Sequence, residues 1–384
     1  MMRYTTAGES HGRALVAIVS DVPAGVPIDA AAIDRDLARR QQGYGRGGRM
    51  AIERDQVQIL SGVRFGATIG SPVALVIANR DWDQWLDVMA VSGEPVDRAR
   101  VTAPRPGHAD LPGVLRNRAS DVRDVLERAS ARETAARVAA GAVAKALLTQ
   151  LGVRVLSFVT RIGEAALATE PDPREIDADA VEASDVRCPD DSVAEDMRKA
   201  IDAARADGES VGGVFVVAAL GVVPGLGGYA EANQRLDARL GAAVLSIPAI
   251  KGVEIGDGFA AAQRPGSLVH DPIVYEKGRG IVRPTNRAGG IEGGMTNGEP
   301  VVMRAAMKPI PTLIRPLPSV DLETLEPVDA ARERSDVCAV PAAAVVAEAE
   351  VALVLATAYQ EAFGGRCLSD MLEALERYKD RLPR

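Results

Sequence analysis

Histidine and cysteine are scarce in this chain, with three of each in 384 residues. The cysteines, Cys188, Cys338 and Cys367, form no C-x-x-C pair. That excludes a disulfide framework and fits a reducing compartment. Without a Cys/His cluster a structural zinc site is excluded too, and no metal is expected. Lysine is also rare: six of the 45 basic residues are lysine and the rest are arginine. Genomic bias accounts for much of this, yet arginine is the better bidentate partner for phosphate. The net charge of −8 argues against a general nucleic-acid-binding surface. No uncharged run approaches the roughly 18–20 residues needed to cross a bilayer, so no membrane partner is expected. The apolar stretch ALVAIVS at 14–20 is too short for a secretory signal, and a cytoplasmic location is expected.

Glycine is abundant, with 37 residues in a composition otherwise ordinary for a globular protein, 47% hydrophobic and 26% charged. Val/Ile-rich runs bounded by Gly or Pro predict strands at 14–20, 57–63, 73–78, 153–162, 213–220 and 301–307. Helical patterns alternate with them. One opens at Asp29, continues through Ile33 and Leu37, and ends by Gly43. Others cover 131–151, 192–207, 229–245, 341–363 and 368–380. Two Ala/Val-rich segments, one following Arg128 and one following Arg334, echo each other and are apolar around much of their circumference, so both should be buried. The echo is either an internal duplication or two similar core helices. The Pro/Asp/Glu-rich stretch 168–192 reads as an exposed excursion. No linker separates independent units, so residues 1–384 are expected to form one compact α+β domain with two related halves.

Several stretches can carry chemistry. GESHG at 8–12 fits the G-x-S-x-G pattern of a nucleophilic serine, with His11 beside Ser10. A nucleophile elbow needs a core strand before the serine and a helix after it. Here an apolar strand-like run follows, so hydrolysis through Ser10 is disfavoured. RRQQGYGRGGR at 39–49 places four arginines among four glycines and suits a multiply charged anion. The alternative is a flexible surface loop. In LERASARET, Ser130 and Glu133 form a capping-box pattern flanked by Arg128 and Arg132, at a helix start that attracts anions. APRPGHAD puts His108 beside Arg105 and Asp110 in a Pro/Gly-stiffened loop, where a histidine is either exposed or poised for proton transfer. KPIPT supplies Lys308, and Asp336 stands before the last long helix as a cap or a functional carboxylate. GVVPGLGG at 221–228 misses the dinucleotide spacing. AGGIEGGMTNG at 288–298 lacks a Walker lysine and reads as a close backbone approach or a tight loop.

GESHG, RRQQGYGRGGRM, NRDW, RPGHADL, DVLERASARETAARVAAGAVAK, AIKGVEIGDGF, GGIEGGMTNGEP, MKPIPT and RSDVCAVPAA occur in order along the whole chain. Together they resemble the chorismate synthase family. The resemblance implies an α+β fold, a β-α-β sandwich with an internally duplicated α/β motif, assembled as a homotetramer. It implies anti-1,4-elimination of phosphate from 5-enolpyruvylshikimate 3-phosphate, requiring reduced FMN (FMNH2) without net redox change. Carried over residue by residue, Arg40, Arg46, Arg105, Arg132 and Arg334 hold the anionic substrate or an NADP phosphate. His11, with Ser10 beside it, is the acid near the departing phosphate. His108 sets the protonation of reduced flavin, and Asp336 helps flavin N5 accept the C6 proton. The FMN contacts are Arg128, Ala129, Ser130, Pro248, Ala249, Gly293, Lys308, Pro309, Ile310, Pro311, Thr312 and Arg334. Pro248 stands where the family has Asn or Gln, and it lacks an amide donor. With no dinucleotide fingerprint, NADPH is expected to act only through a separate flavin reductase. The rival reading is a non-catalytic flavin- or phosphometabolite-binding protein using the same cations.

Overall fold

Strand-forming runs of alternating burial assemble into two antiparallel sheets in a computed structural model that describes residues 1–47, 54–94, 96, 100–333 and 336–383. The first sheet contains β1 (Arg3–Ala7), β2 (Ala14–Ser20), β3 (Val57–Ser61) and β4 (Val73–Ala78), in the order β1-β2-β4-β3. Pairing Leu15 with Ile77, Ala17 with Leu75 and Val19 with Val73 puts these six side chains on one face, and all are buried. The second sheet contains β5 (Arg154–Ile162), β6 (Ala165–Ala166), β7 (Gly213–Leu220), β8 (Ile250–Ile255) and β9 (Val301–Met307), in the order β8-β9-β7-β5-β6.

The helices are α1 (Ala30–Gln41), α2 (Asp110–Asn117), α3 (Arg123–Ala129), α4 (Thr134–Gln150), α5 (Ala178–Ala183), α6 (Asp191–Asp207), α7 (Leu236–Leu245), α8 (Val340–Phe363) and α9 (Leu368–Lys379). The two Ala/Val-rich helices, α4 and α8, lie against each other between the sheets. α4 packs on β2 and β4, and α8 on β5 and β7. Small residues allow the close approach: a Cβ built on Gly141 would lie 2.2 Å from the Cβ of Ala349. α8 is long and apolar enough to cross a membrane, but 89% of its apolar window is buried inside the protein. It also carries the buried Glu348, whose carboxylate accepts from Arg39 Nη2 (2.7 Å), Lys145 Nζ (2.6 Å) and Ser157 Oγ (2.6 Å). One charge cluster thus joins α1, α4, α8 and β5.

One local arrangement occurs twice. After β2, Thr68 Oγ1 accepts from Val26 N (2.9 Å) and donates to Pro23 O (2.5 Å). After β7, Thr296 Oγ1 accepts from Leu226 N (2.9 Å) and donates to Val223 O (2.7 Å). Each threonine ends a two-residue strand in a short hairpin, 63–68 and 291–296.

The structure corrects several expectations. The 168–192 stretch is no excursion: Ile176 and Val181 are buried against Phe158, Val216 and Ala218 on the outer face of the second sheet. The predicted 131–151 helix begins with a 3-10 turn at Ala131–Glu133, and its α-helical part starts at Thr134. The 229–245 helix shortens to 236–245, because Gly294 O accepts Leu236 N at 2.8 Å and fixes the chain before it. β1, β8, α2 and α5 carried too little apolar periodicity to be read.

Candidate active site

A cavity of about 750 Å³ opens beside the α4–α8 pair. It gathers residues from the β1–β2 connection, the end of α1 and the loop after it, the segment around Trp85, the loop around His108, α3 and the start of α4, and the segments around Pro248, Lys308 and Asp336. Ser10, His11, Arg40, Arg46, Arg105, His108, Ala129, Ser130, Arg132, Pro248, Ala249, Lys308, Ile310, Pro311, Thr312 and Asp336 all line it. Arg128, Pro309 and Gly293 do not. Arg128 turns outward to Gly8 O (3.0 Å) and Thr6 O (3.1 Å). Arg334 lies outside the described residues, as does the Arg49 end of the Gly/Arg loop.

Ser10 and His11 sit in the connection between β1 and β2, two antiparallel strands. A strand–turn–strand setting is not a nucleophile elbow, which turns into a helix. Asn79 Nδ2 clamps this connection by donating to Gly12 O (2.6 Å) and Glu9 O (3.2 Å). Ser130 Oγ donates to Ser10 Oγ at 3.3 Å. Only half of the predicted capping box forms. Ser130 Oγ accepts Arg132 N (3.3 Å), while Glu133 turns instead to Arg137 Nε, 2.8 Å away.

Each cavity histidine is held by a buried carboxylate. His11 Nδ1 lies 2.9 Å from Glu127 Oε1, and its ring stacks on Trp85 with centroids 3.9 Å apart. His108 Nδ1 lies 2.5 Å from Asp110 Oδ1. A carboxylate only accepts hydrogen bonds, so each Nδ1 carries the proton. Arginines brace both acids: Arg123 Nη1 donates to Glu127 Oε1 (2.8 Å) and Arg105 Nε to Asp110 Oδ2 (2.8 Å). Burial opposes ionisation of Asp110, but hydrogen bonds from His108 and Arg105 outweigh it and hold the carboxyl well below the usual range. Glu127 is likewise held low against its burial, chiefly by His11.

The lining carries six cations, Arg40, Arg46, Arg105, Arg123, Arg132 and Lys308, against three carboxylates, Asp81, Glu333 and Asp336, among the described residues. Arg40 belongs to the last turn of α1 and not to the loop after it. Burial, then the nearby Arg132, lowers its pKa to about 10. Arg40 and Arg132 share Asp55, with Nη1–Oδ2 distances of 3.9 and 2.6 Å. Arg40 Nη1 is buried with no hydrogen-bond partner among the described residues. Such an atom marks a place for an anionic ligand. Lys308 is lowered by burial, then by Lys251, and donates to Gly107 O at 2.5 Å. Asp336 does not cap α8, whose N-cap is Ala339. It accepts from Gly47 N (2.7 Å) and pairs with Arg46 Nη1 (2.8 Å).

The apolar part of the lining is formed by Leu126, Ile247, Met307, Ala342, Ala343 and Val346. Beside it Ala249 adopts φ 69°, unusual for a residue with a Cβ, and its carbonyl accepts Lys308 N at 3.0 Å. The arrangement suits a flat, partly apolar molecule next to a polyanion, with two imidazole edges for proton transfer.

Sequence reading missed Glu127, Arg123, Asp55, Asn79 and Trp85. A pairing signal existed for two of them: Arg123 and Glu127 stand four apart on a helix.

Comparison with known proteins gives a consistent result. The family model for chorismate synthase matches residues 2–360. The chain is 58% identical to a chorismate synthase of Moorella thermoacetica, over 100% of this chain and 99% of that one. It is 56% identical to one of Symbiobacterium thermophilum, with both chains covered completely. It superposes on a crystal structure of a chorismate synthase with TM-score 0.81 and 42% identity, covering 99% of this chain and 97% of that one.

Proposed function

The chain belongs to the chorismate synthase family, lyases of aromatic amino acid biosynthesis, and from that premise we propose that its cavity eliminates phosphate and the C6 proton from 5-enolpyruvylshikimate 3-phosphate with reduced FMN bound. The observation that supports this most is the gathering of His11, His108, Asp336, Arg40, Arg46, Arg105 and Arg132 around one cavity. The rival reading, a binding protein without catalysis, gives no reason for two histidines each braced by a carboxylate.

The residues fit both ligands. The partnerless Arg40 Nη1 and the adjacent Arg132 suit the phosphate and carboxylates of the substrate. The apolar wall, with Ala129, Ser130, Pro248, Ala249, Ile310, Pro311 and Thr312 near it, suits the flavin ring. Arg128, Pro309 and Gly293 do not line this cavity, and no role in it is assigned to them. Reduced FMN, when bound, supplies transient electron density and recovers it, so the reaction has no net redox change.

The chain's own residues do the rest. Arg40 and Arg132 stabilise charge gathering on the departing phosphate, being fixed in place before the reaction by Asp55, Asn79 and Thr134. His11, when protonated on both ring nitrogens, delivers its Nε2 proton to that phosphate and keeps the Nδ1 proton in its bond to Glu127. His108, through Nε2, sets the protonation of the group bound beside Lys308. Asp336, held by Arg46 and Gly47, would help the bound flavin accept the proton leaving C6.

Three finer readings accompany this one. The Gly221–Gly228 turn spends two amides on Thr296, Leu226 N on Oγ1 (2.9 Å) and Gly225 N on the carbonyl (2.7 Å). Those amides are not free for a dinucleotide phosphate, which supports reduced FMN arriving from a separate flavin reductase. The repeated threonine arrangement supports two halves copied from one α/β unit. A homotetramer is supported by the outer face of the first sheet, where Val16 and Ile18 pair with Val76 and Ala74 and Ile18 is 43% exposed, whereas Ile176 and Val181 cover the outer face of the second sheet.

The test is an anaerobic assay with the enolpyruvyl substrate and photoreduced FMN. The expected result is diene absorbance and free phosphate in equal amounts, with the flavin still reduced at the end. Binding of both ligands without product would favour the non-catalytic reading.

A further inference from the structure

We propose that Glu127 is the positioning residue of His11: its carboxylate holds the imidazole as the Nδ1–H tautomer and makes Nε2 the edge that acts in the cavity. This rests on reading the cavity as the catalytic site. The carboxylate sits in the last turn of α3, 3% exposed. Its Oε1 receives His11 Nδ1 (2.9 Å) and Arg123 Nη1 (2.8 Å), and its Oε2 receives the His11 backbone N–H (2.8 Å). The Glu127 carbonyl accepts Ser10 N at 2.9 Å, so the residue fixes the loop as well as the ring.

One further contact opposes rotation of the ring. Trp85 stacks on it at an interplanar angle of 25°. Trp85 is held in turn by Asp81 Oδ2, which accepts its Nε1 at 3.2 Å, and by Arg123, whose guanidinium carbon lies 5.3 Å from the indole centroid. Arg123 also reaches Glu333, 3.4 Å away. Among the described residues, the charged groups near the imidazole include Glu127, Arg123, Asp81 and Glu333, and Glu127 lies within hydrogen-bond distance of Nδ1. Anchoring the loop would need the backbone bonds alone, whereas the contact to Nδ1 selects a tautomer.

The chain has three histidines, so selective 15N-histidine labelling yields at most three ring systems. His11→Ala identifies the His11 signals. Spectra taken at alkaline pH without substrate or cofactor should show His11 protonated on Nδ1. Glu127→Gln keeps shape and can still accept the backbone N–H, but its amide can donate to Nδ1 and so favours the Nε2–H form. That variant also removes the carboxylate charge facing the doubly protonated ring that gives up the Nε2 proton, so kcat should fall about 10²-fold or more, the usual share of a general acid. KM should stay near the wild-type value, because the bound substrate keeps its cations. An Nε2–H tautomer in the wild-type protein would overturn the proposal, and so would Glu127→Gln with unchanged kcat. The tautomer is read without turnover, so it stands or falls separately from the anaerobic assay.

Discussion

Helices α4 and α8 hold the two sheets together, and one glycine sets their separation. A Cβ added to Gly141 would sit 2.2 Å from Ala349 Cβ, 2.5 Å from its Cα and 3.0 Å from its carbonyl carbon. Carbon atoms prefer about 3.5–4.0 Å, so Gly141→Ala must part the helices by more than about 1 Å. The obstacle is backbone on a buried helix, which cannot swing aside as a side-chain end can. Overpacking of this kind costs about 1–3 kcal/mol, and backbone contact places this case at the upper end. Alanine's better helix propensity returns about 1 kcal/mol, leaving a net loss of about 2 kcal/mol. Gly241 in α7 is the control, because a Cβ there meets nothing within 4 Å. Gly241→Ala should therefore gain about 0.5–1 kcal/mol. Urea or thermal unfolding of the two variants beside wild type reads both signs. Gly141→Ala as stable as wild type would refute the packing argument. α8 also carries Ala342, Ala343 and Val346 of the cavity wall, so a loss of activity should accompany the loss of stability.

Glu348→Ala removes a buried carboxylate from Arg39 and Lys145, which keep Asp36 and, for Arg39, Glu182, and should cost about 1–3 kcal/mol in unfolding measurements. Burial raises the Glu348 pKa, but Lys145 and then Arg39 outweigh it and hold the carboxyl far below its ordinary value of 4.5. The folded-state value is thus the lower one. This stabilisation is complete above about pH 4.5 and is lost as pH falls toward the folded value. Unfolding midpoints should drop on acidification in wild type and drop less in the variant. Arg132→Ala removes a charge-assisted contact worth about 1.5–3 kcal/mol and should lower kcat/KM about 10–100-fold in the anaerobic assay. An unchanged kcat/KM would place the phosphate elsewhere. Cys338 is buried and its thiol is pushed up to about 12, first by burial, so a disulfide reagent should leave it untouched in the native protein while the half-exposed Cys367 reacts.

Much of this architecture was legible because apolar periodicity reports burial. All six predicted strands form, and the paired Ala/Val-rich helices lie at the centre of the core. Gly-rich spacing beside arginines led to Arg40, Arg46 and Gly47 of the cavity lining, and the family resemblance to Pro248, Ala249, Ile310, Pro311 and Thr312. The remainder depends on contacts distant in sequence. Glu127 and Asp55 look like ordinary surface acids until folding brings His11 and Arg132 to them, 116 and 77 residues away. β1 reads Arg-Tyr-Thr-Thr-Ala, half exposed, without the alternation that marks a strand. Asp336 matched a helix cap by position, but Arg46 offers a charge-assisted bond where the cap would offer a neutral amide. The 168–192 stretch has a polar composition, and only its few apolar residues, such as Ile176 and Val181, show that it covers a sheet.

Seating of the reacting groups is tested most directly by a crystal structure of the protein soaked with FMN and the enolpyruvyl phosphate. Density for the phosphate should appear within hydrogen-bond reach of Arg40 and Arg132, with His11 Nε2 turned toward it and the flavin against the Ala342–Val346 wall. Density for either molecule outside this cavity, with His11 and His108 touching neither, would contradict it.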